Sequence, residues 1–129
     1  MQQSPIFTLL HDLLLWLIPA TNKFPREHRF GLAQRLQKQV FDLQHELIAA
    51  VYDKRYSEEH LIEADTLLAE LRKTLLVCEE LGLFQQGQYR HVSLIVTNLG
   101  NRLGSWRNPD KDRAAQPKHR VADAGARPG

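Results

Sequence analysis

The chain has 129 residues, of which 43% are hydrophobic and 25% charged, enough for one domain with its own core. Its 17 Lys and Arg against 15 Asp and Glu leave a formal net charge of +2, which excludes a uniformly basic nucleic-acid binder. The single cysteine, Cys78, excludes an intramolecular disulfide and fits a cytoplasmic protein.

Four segments carry helical periodicity and none carries strand alternation. The first runs from about Pro5 to Leu17, with Ser4 as a hydroxyl cap, Pro5 in the first turn and Pro19 as its stop. Its apolar run, Ile6 to Ile18, contains His11 and Asp12 and is shorter than the roughly 20 residues a membrane span needs. No basic residue precedes it, as a signal peptide would require. A buried amphipathic helix is expected, and no membrane association.

The second segment runs from about Pro25 to Tyr52. Ala33, Leu36, Val40, Leu43, Leu47 and Ala50 recur at alternating spacings of three and four, a coiled-coil-like seam. The third begins at Ser57, read as an N-cap, with Glu58 and Glu59 where the helix dipole favours acids. Leu61, Ala64, Leu68, Leu71, Leu75 and Cys78 form its seam, Leu67 and Leu81 widen it, and Gly82 reads as a left-handed cap followed by Leu83. The fourth runs from about Gln85 or Gln88 to Ser105, with Tyr89, Val92, Val96, Leu99, Leu103 and Trp106 as its seam. Gly100 and Gly104 within it point to a close backbone approach or a fraying end. From Arg107 on the composition is polar and aperiodic, and disorder is expected. The predicted fold is all-α: an antiparallel up-down-up-down four-helix bundle over residues 1–107 with a disordered basic tail over 108–129.

The charge is segregated. Residues 23–40 carry Lys23, Arg26, Arg29, Arg35 and Lys38 against Glu27, a balance of +4. Residues 41–80 carry ten acids against four bases, and residues 102–129 carry seven bases against three acids. Arg26 and Arg29 stand at a helix start, where the dipole disfavours cations but where a bound phosphate or carboxylate is favoured. A solvated surface balanced by Glu27 explains them equally well. Arg107, Lys111, Arg113, Lys118 and Arg120 are spaced like an electrostatic arm, although on composition alone a solubilising tail is the preferred reading. The six histidines show no i, i+4 pair or His-Glu ligand set. Cys78 lies in a seam and reads as a core thiol, and Trp106 as a packing residue. No phosphate-binding loop, Ser-His-Asp set or carboxylate pair is present in the sequence, so a non-enzyme without cofactor or metal is expected.

Two stretches carry a resemblance. One is Lys23-Phe24-Pro25-Arg26-Glu27-His28-Arg29-Phe30-Gly31-Leu32-Ala33-Gln34-Arg35-Leu36; the other is Leu99-Gly100-Asn101-Arg102-Leu103-Gly104-Ser105-Trp106, preceded by Gly87-Gln88-Tyr89. Over about residues 5–107 the chain resembles the accessory variability determinant (Avd) proteins of diversity-generating retroelements. These open their second helix on a Pro-basic-x-x-Arg-Phe pattern and close their fourth on Ile/Leu-Gly-x-x-Leu-Gly-Gly/Ser-Trp. The resemblance implies a four-helix bundle assembled as a homopentamer. It implies binding to a reverse transcriptase and to template RNA or an RNA/DNA hybrid, in support of mutagenic copying errors at adenines, the catalysis belonging to the polymerase. Arg26, Arg29, Arg35, Lys38, Arg102 and Arg107 are the candidate nucleic-acid and partner-binding residues.

Two alternatives stand beside it. One is a protein-only adaptor like the bundles encoded in ribosomal-RNA intervening sequences. Those carry an Asn-Ile-Ala-Glu-Gly signature where this chain has Leu47-Ile48-Ala49-Ala50-Val51. The other is a small-ligand bundle, for which the seams offer almost no converging polar groups. Leu14, Trp16, Ile48, Leu76, Leu83 and Ile95 are the apolar positions left for subunit contacts.

Overall fold

The computed structural model describes residues 4–109. Most of the predicted tail, with Lys111, Arg113, Lys118 and Arg120, lies outside the described residues. Four long helices make the fold: α1 (Pro5–Asn22), α2 (Gln34–Tyr52), α3 (Ser57–Glu80) and α4 (Gln88–Arg107). A single α turn, Arg26–His28, and a π-helical turn, Arg29–Ala33, run directly into α2, and a 3-10 turn, Lys54–Tyr56, joins α2 to α3. Among the described residues there is no strand, and no helix is long and apolar enough to cross a membrane.

α1 and α3 each pack against both α2 and α4, the α2–α3 contact being the most extensive. With short connections this is the antiparallel four-helix bundle the periodicity predicts. The seams form its interior: Ala33 through Ala50 along the second run, Leu61 through Cys78 on α3, and Val92, Val96, Leu99 and Leu103 on α4 are buried, facing Ile6, Leu10, Leu13 and Leu17 of α1. Aromatic rings close one end of the bundle. Phe84 lies 5.6 Å from Phe24, 6.2 Å from Trp16 and 6.4 Å from Tyr89, within the range of favourable ring pairs. At the other end Trp106, half-buried, meets Phe7 edge-on at 6.3 Å.

Several boundaries differ from the sequence expectation. Pro19 does not stop α1, which continues to Asn22. Pro19 and Leu15 both lie on the exposed face, so the Leu15 carbonyl that loses its N–H partner faces water rather than core. The last turn is held instead by Thr21, whose hydroxyl donates to the Leu17 carbonyl at 2.7 Å and accepts from the Gln37 amide at 2.9 Å. Ser4 occupies the cap position of α1 with extended backbone, but its hydroxyl makes no cap bond. Ser57 is likewise no cap: its hydroxyl donates to the Ala50 carbonyl at 2.9 Å, bridging the end of α2 to the start of α3. Leu81, expected to widen the α3 stripe, is exposed, because the chain turns away at Gly82. Gly82 has φ +75, and the bonds Gly82 N–H to Glu79 and Leu83 N–H to Cys78 complete the predicted left-handed cap. α4 opens at Gln88 behind a second left-handed glycine, Gly87. Of the two glycines in α4, Gly100 is the close approach: a Cβ there would run into the Arg72 guanidinium, whereas one at Gly104 meets nothing.

A polar clasp joins α2 to α3. His60 places Nδ1 2.8 Å from the Glu46 carboxylate and Nε2 2.9 Å from that of Asp53. Both ring nitrogens face acceptors, so the doubly protonated imidazolium fits, and the bonds to Glu46 and then Asp53 raise the His60 pKa above its usual 6.5. A group with a raised folded-state pKa stabilises fully below its unfolded value and loses that contribution as pH rises through the folded one. We expect the urea midpoint to fall as pH rises above the usual histidine value of 6.5, and His60→Ala to flatten that change. Cys78 is fully buried, and desolvation pushes its thiol up to about 11. It is expected to resist a thiol reagent at about pH 8 until urea unfolds the bundle, the reaction tracking loss of helicity.

Candidate nucleic-acid interface

The basic second segment is shaped by the π turn. Continued upward as α-helix, the α2 seam would aim Arg29 or Phe30 at the core, three or four residues before Ala33. The π turn, closed by i→i+5 bonds, holds one more residue than an α turn and changes the phase. Phe24 takes the core position instead, and Phe30 is turned outward, 78% exposed. Arg29 helps fix this geometry, its Nε–H donating to the Phe24 carbonyl at 3.0 Å.

A groove of about 700 Å³ runs between this turn, α2 and α3. Phe30, Gly31 and Leu32 form its head. Arg35, Lys38, Gln39 and Asp42 form the α2 wall, and Leu67 and Glu70 the α3 wall. Lys38 is held at 2.6 Å by Asp42, one helical turn on. Gln39 is buried and its Oε1 has no hydrogen-bond partner. Such a group costs about 1–3 kcal/mol when left unsatisfied.

The six candidate residues fall into two groups. Arg35 and Lys38 meet on the groove, and Arg26 and Arg29, both exposed, lie just before it on the same helical run. Arg102 and Arg107 are at the far end, on the last turns of α4. Arg102 is exposed. Arg107 is not the root of a free arm: its guanidinium is bonded to Asp65 and lies 3.6 Å from Glu58, pinning the end of α4 to α3. Among the described residues no ion pair engages Arg26, Arg35 or Arg102.

Phe30, Gly31 and Gln39 were not singled out by the sequence as a site. The signal for Gln39 is a polar residue three after Leu36 and four before Leu43, inside the apolar stripe. For Phe30 it is a large aromatic beside a glycine at a helix start. The positions offered for subunit contacts also sort out: Leu14 is core, Trp16, Ile48, Leu83 and Ile95 are half-buried, and Leu76 is exposed. The apolar residues most exposed besides Phe30 and Tyr52 are Leu15, Leu94 and Leu81. Among the described residues no group of three or more His, Cys, Asp or Glu is placed to hold a metal ion.

No curated protein matches this chain. A family model described as bAvd-like matches residues 6–109, which span all four helices and both motif stretches. The chain therefore belongs to the bAvd-like family, in keeping with its resemblance to the Avd proteins.

Proposed function

We propose that this protein is a non-catalytic accessory factor of a diversity-generating retroelement, binding the reverse transcriptase and template RNA or an RNA/DNA hybrid. Family membership over residues 6–109 supports the reading. The observation that carries it to nucleic acid is the run from Arg26 to Lys38, where Arg35 and Lys38 line a groove and the exposed Arg26 and Arg29 precede them on the same helical run. The acids of the chain are concentrated instead on α3 and the end of α2. Phosphates approaching the basic run release counterions, an affinity that needs no base-specific contact. A homo-oligomeric ring, a pentamer by the resemblance, repeats this surface and raises the effective concentration of each weak contact. Exposed Leu15 on α1 and Leu94 on α4 are available to neighbouring subunits.

Gel shifts across a salt series test the RNA surface. Arg26→Glu, Arg29→Glu and Arg35→Glu together are expected to weaken RNA binding at least tenfold. The log–log salt slope should become shallower by about 0.7 for each lost contact to a single strand. Helicity by circular dichroism should change little, since among the three only Arg29 makes an intramolecular bond, and that bond holds a single turn. Arg26→Glu with Arg35→Glu, which leaves that bond in place, should weaken RNA binding in the same direction. Unaltered binding would remove this surface from the function, and no binding by the native protein would favour a protein-only adaptor. Light scattering tests the ring separately: a mass of 14.9 kDa, one chain, contradicts it.

A further inference from the structure

We propose that the groove beside the π turn receives a single unpaired RNA base, stacked on Phe30, met at its edge by Gln39 and held by its phosphate at Arg35. The inference rests on the RNA-binding reading above and adds to it a site for the base itself.

Three features converge on this occupant. Phe30 is a phenyl ring 78% exposed at the head of the groove. An aromatic face on an exposed helical turn beside cations is the platform on which unpaired bases stack, whatever their identity. Gly31 stands next to it, and a Cβ there would meet nothing within 4 Å. Beyond its two chain neighbours and its own helical backbone nothing crowds that point, so a flat ring can approach the turn beside Phe30. Gln39 supplies the third feature, a buried amide whose Oε1 lacks a donor. The last torsion of a glutamine is soft, so the amide can turn its acceptor and donor together toward the groove that it lines. Each RNA base carries an N–H beside an acceptor on its pairing edge, which an amide matches only when the base is unpaired. The site therefore discriminates single strand from duplex rather than one base from another.

The charges fix the direction of the strand. Arg35 and Lys38 line the α2 wall, with Lys38 oriented by Asp42. Glu70 stands on the α3 wall and repels phosphate there. The sugar–phosphate backbone accordingly follows α2, and the base points across the groove toward Leu67.

The test compares a short single-stranded RNA, the same strand paired in a duplex, and an abasic ribose-phosphate oligomer of equal length, by fluorescence anisotropy at constant salt. The full-length native protein should bind the base-bearing single strand about tenfold more tightly than the abasic oligomer. Phe30→Ala should erase that margin, and Gly31→Leu should erase it by filling the space. Gln39→Leu, which removes the unpaired amide while keeping an apolar stem, should narrow it without loss of thermal stability. Arg26→Glu should weaken both single-stranded probes alike. Equal affinity for abasic and base-bearing strands overturns the base site and leaves phosphate binding standing. Failure to bind any of the three overturns the RNA reading, and the base site with it. Full RNA binding by Phe30→Ala and Gly31→Leu variants that no longer capture the reverse transcriptase would make the groove a protein interface and overturn the proposal.

Discussion

The six buried apolar residues of the second run, Ala33 through Ala50, fix the orientation of everything else on that run. A helix whose seam is sealed between two neighbours cannot rotate without exposing several leucines, each worth about 1.5–3 kcal/mol when buried. Arg35 and Lys38 therefore face outward because Leu36, Val40 and Leu43 face inward. The same seam sets the register of α3, which is drawn against α2 by its own leucines and by the Ser57 and His60 bridges. The basic wall of the groove and its acidic opposite are thus consequences of core packing.

The exception to that order is the head of α2. Phe24 and Phe84 pack together at the end of the core, and Phe30 stands outside it. The π turn brings this about by inserting a residue, at the expense of a large exposed aromatic and a helix start stacked with cations. Gln39, one turn below, is a second local violation: a polar side chain in the apolar stripe with an oxygen unsatisfied. Sequences that otherwise agree with their fold break such rules chiefly at functional or strained sites. Both breaches border the same groove.

How far the sequence could be read follows from which forces are periodic. The seams were legible because burial repeats every three or four residues, and the α3 seam from Leu61 to Cys78 is buried throughout. Gly82 was legible because a left-handed cap needs a residue without a Cβ. Pro19, Ser57 and Arg107 misled for one reason: each depends on what lies across the bundle or outside it. Pro19 is tolerated because water solvates the freed carbonyl. Ser57 bonds a different helix, and Arg107 finds Asp65 42 residues away. The His60 clasp, spanning 14 residues to Glu46, was invisible for the same reason. The candidate site was half legible: its cations are a local charge run, whereas the groove, the π turn and the exposed face of Phe30 arise from three segments meeting.

The near-neutral whole and the segregated parts bear directly on how such a protein can hold a long polyanion. At +2 overall, one subunit attracts RNA weakly at a distance, and acids on α3 limit where a strand can lie. Arg107, spent on Asp65 and Glu58, adds structure at the far end rather than free charge, while Arg102, Lys54 and Arg55 are exposed there. Useful affinity then has to come from repetition or from contacts that do not depend on charge. The proposed ring would supply the first and the proposed base platform the second. The two would be complementary, since a base stacked on Phe30 would hold a strand in place at salt concentrations that screen isolated arginines. An accessory factor built this way would grip unpaired template without closing on it, and a polymerase could draw the strand past one subunit after another.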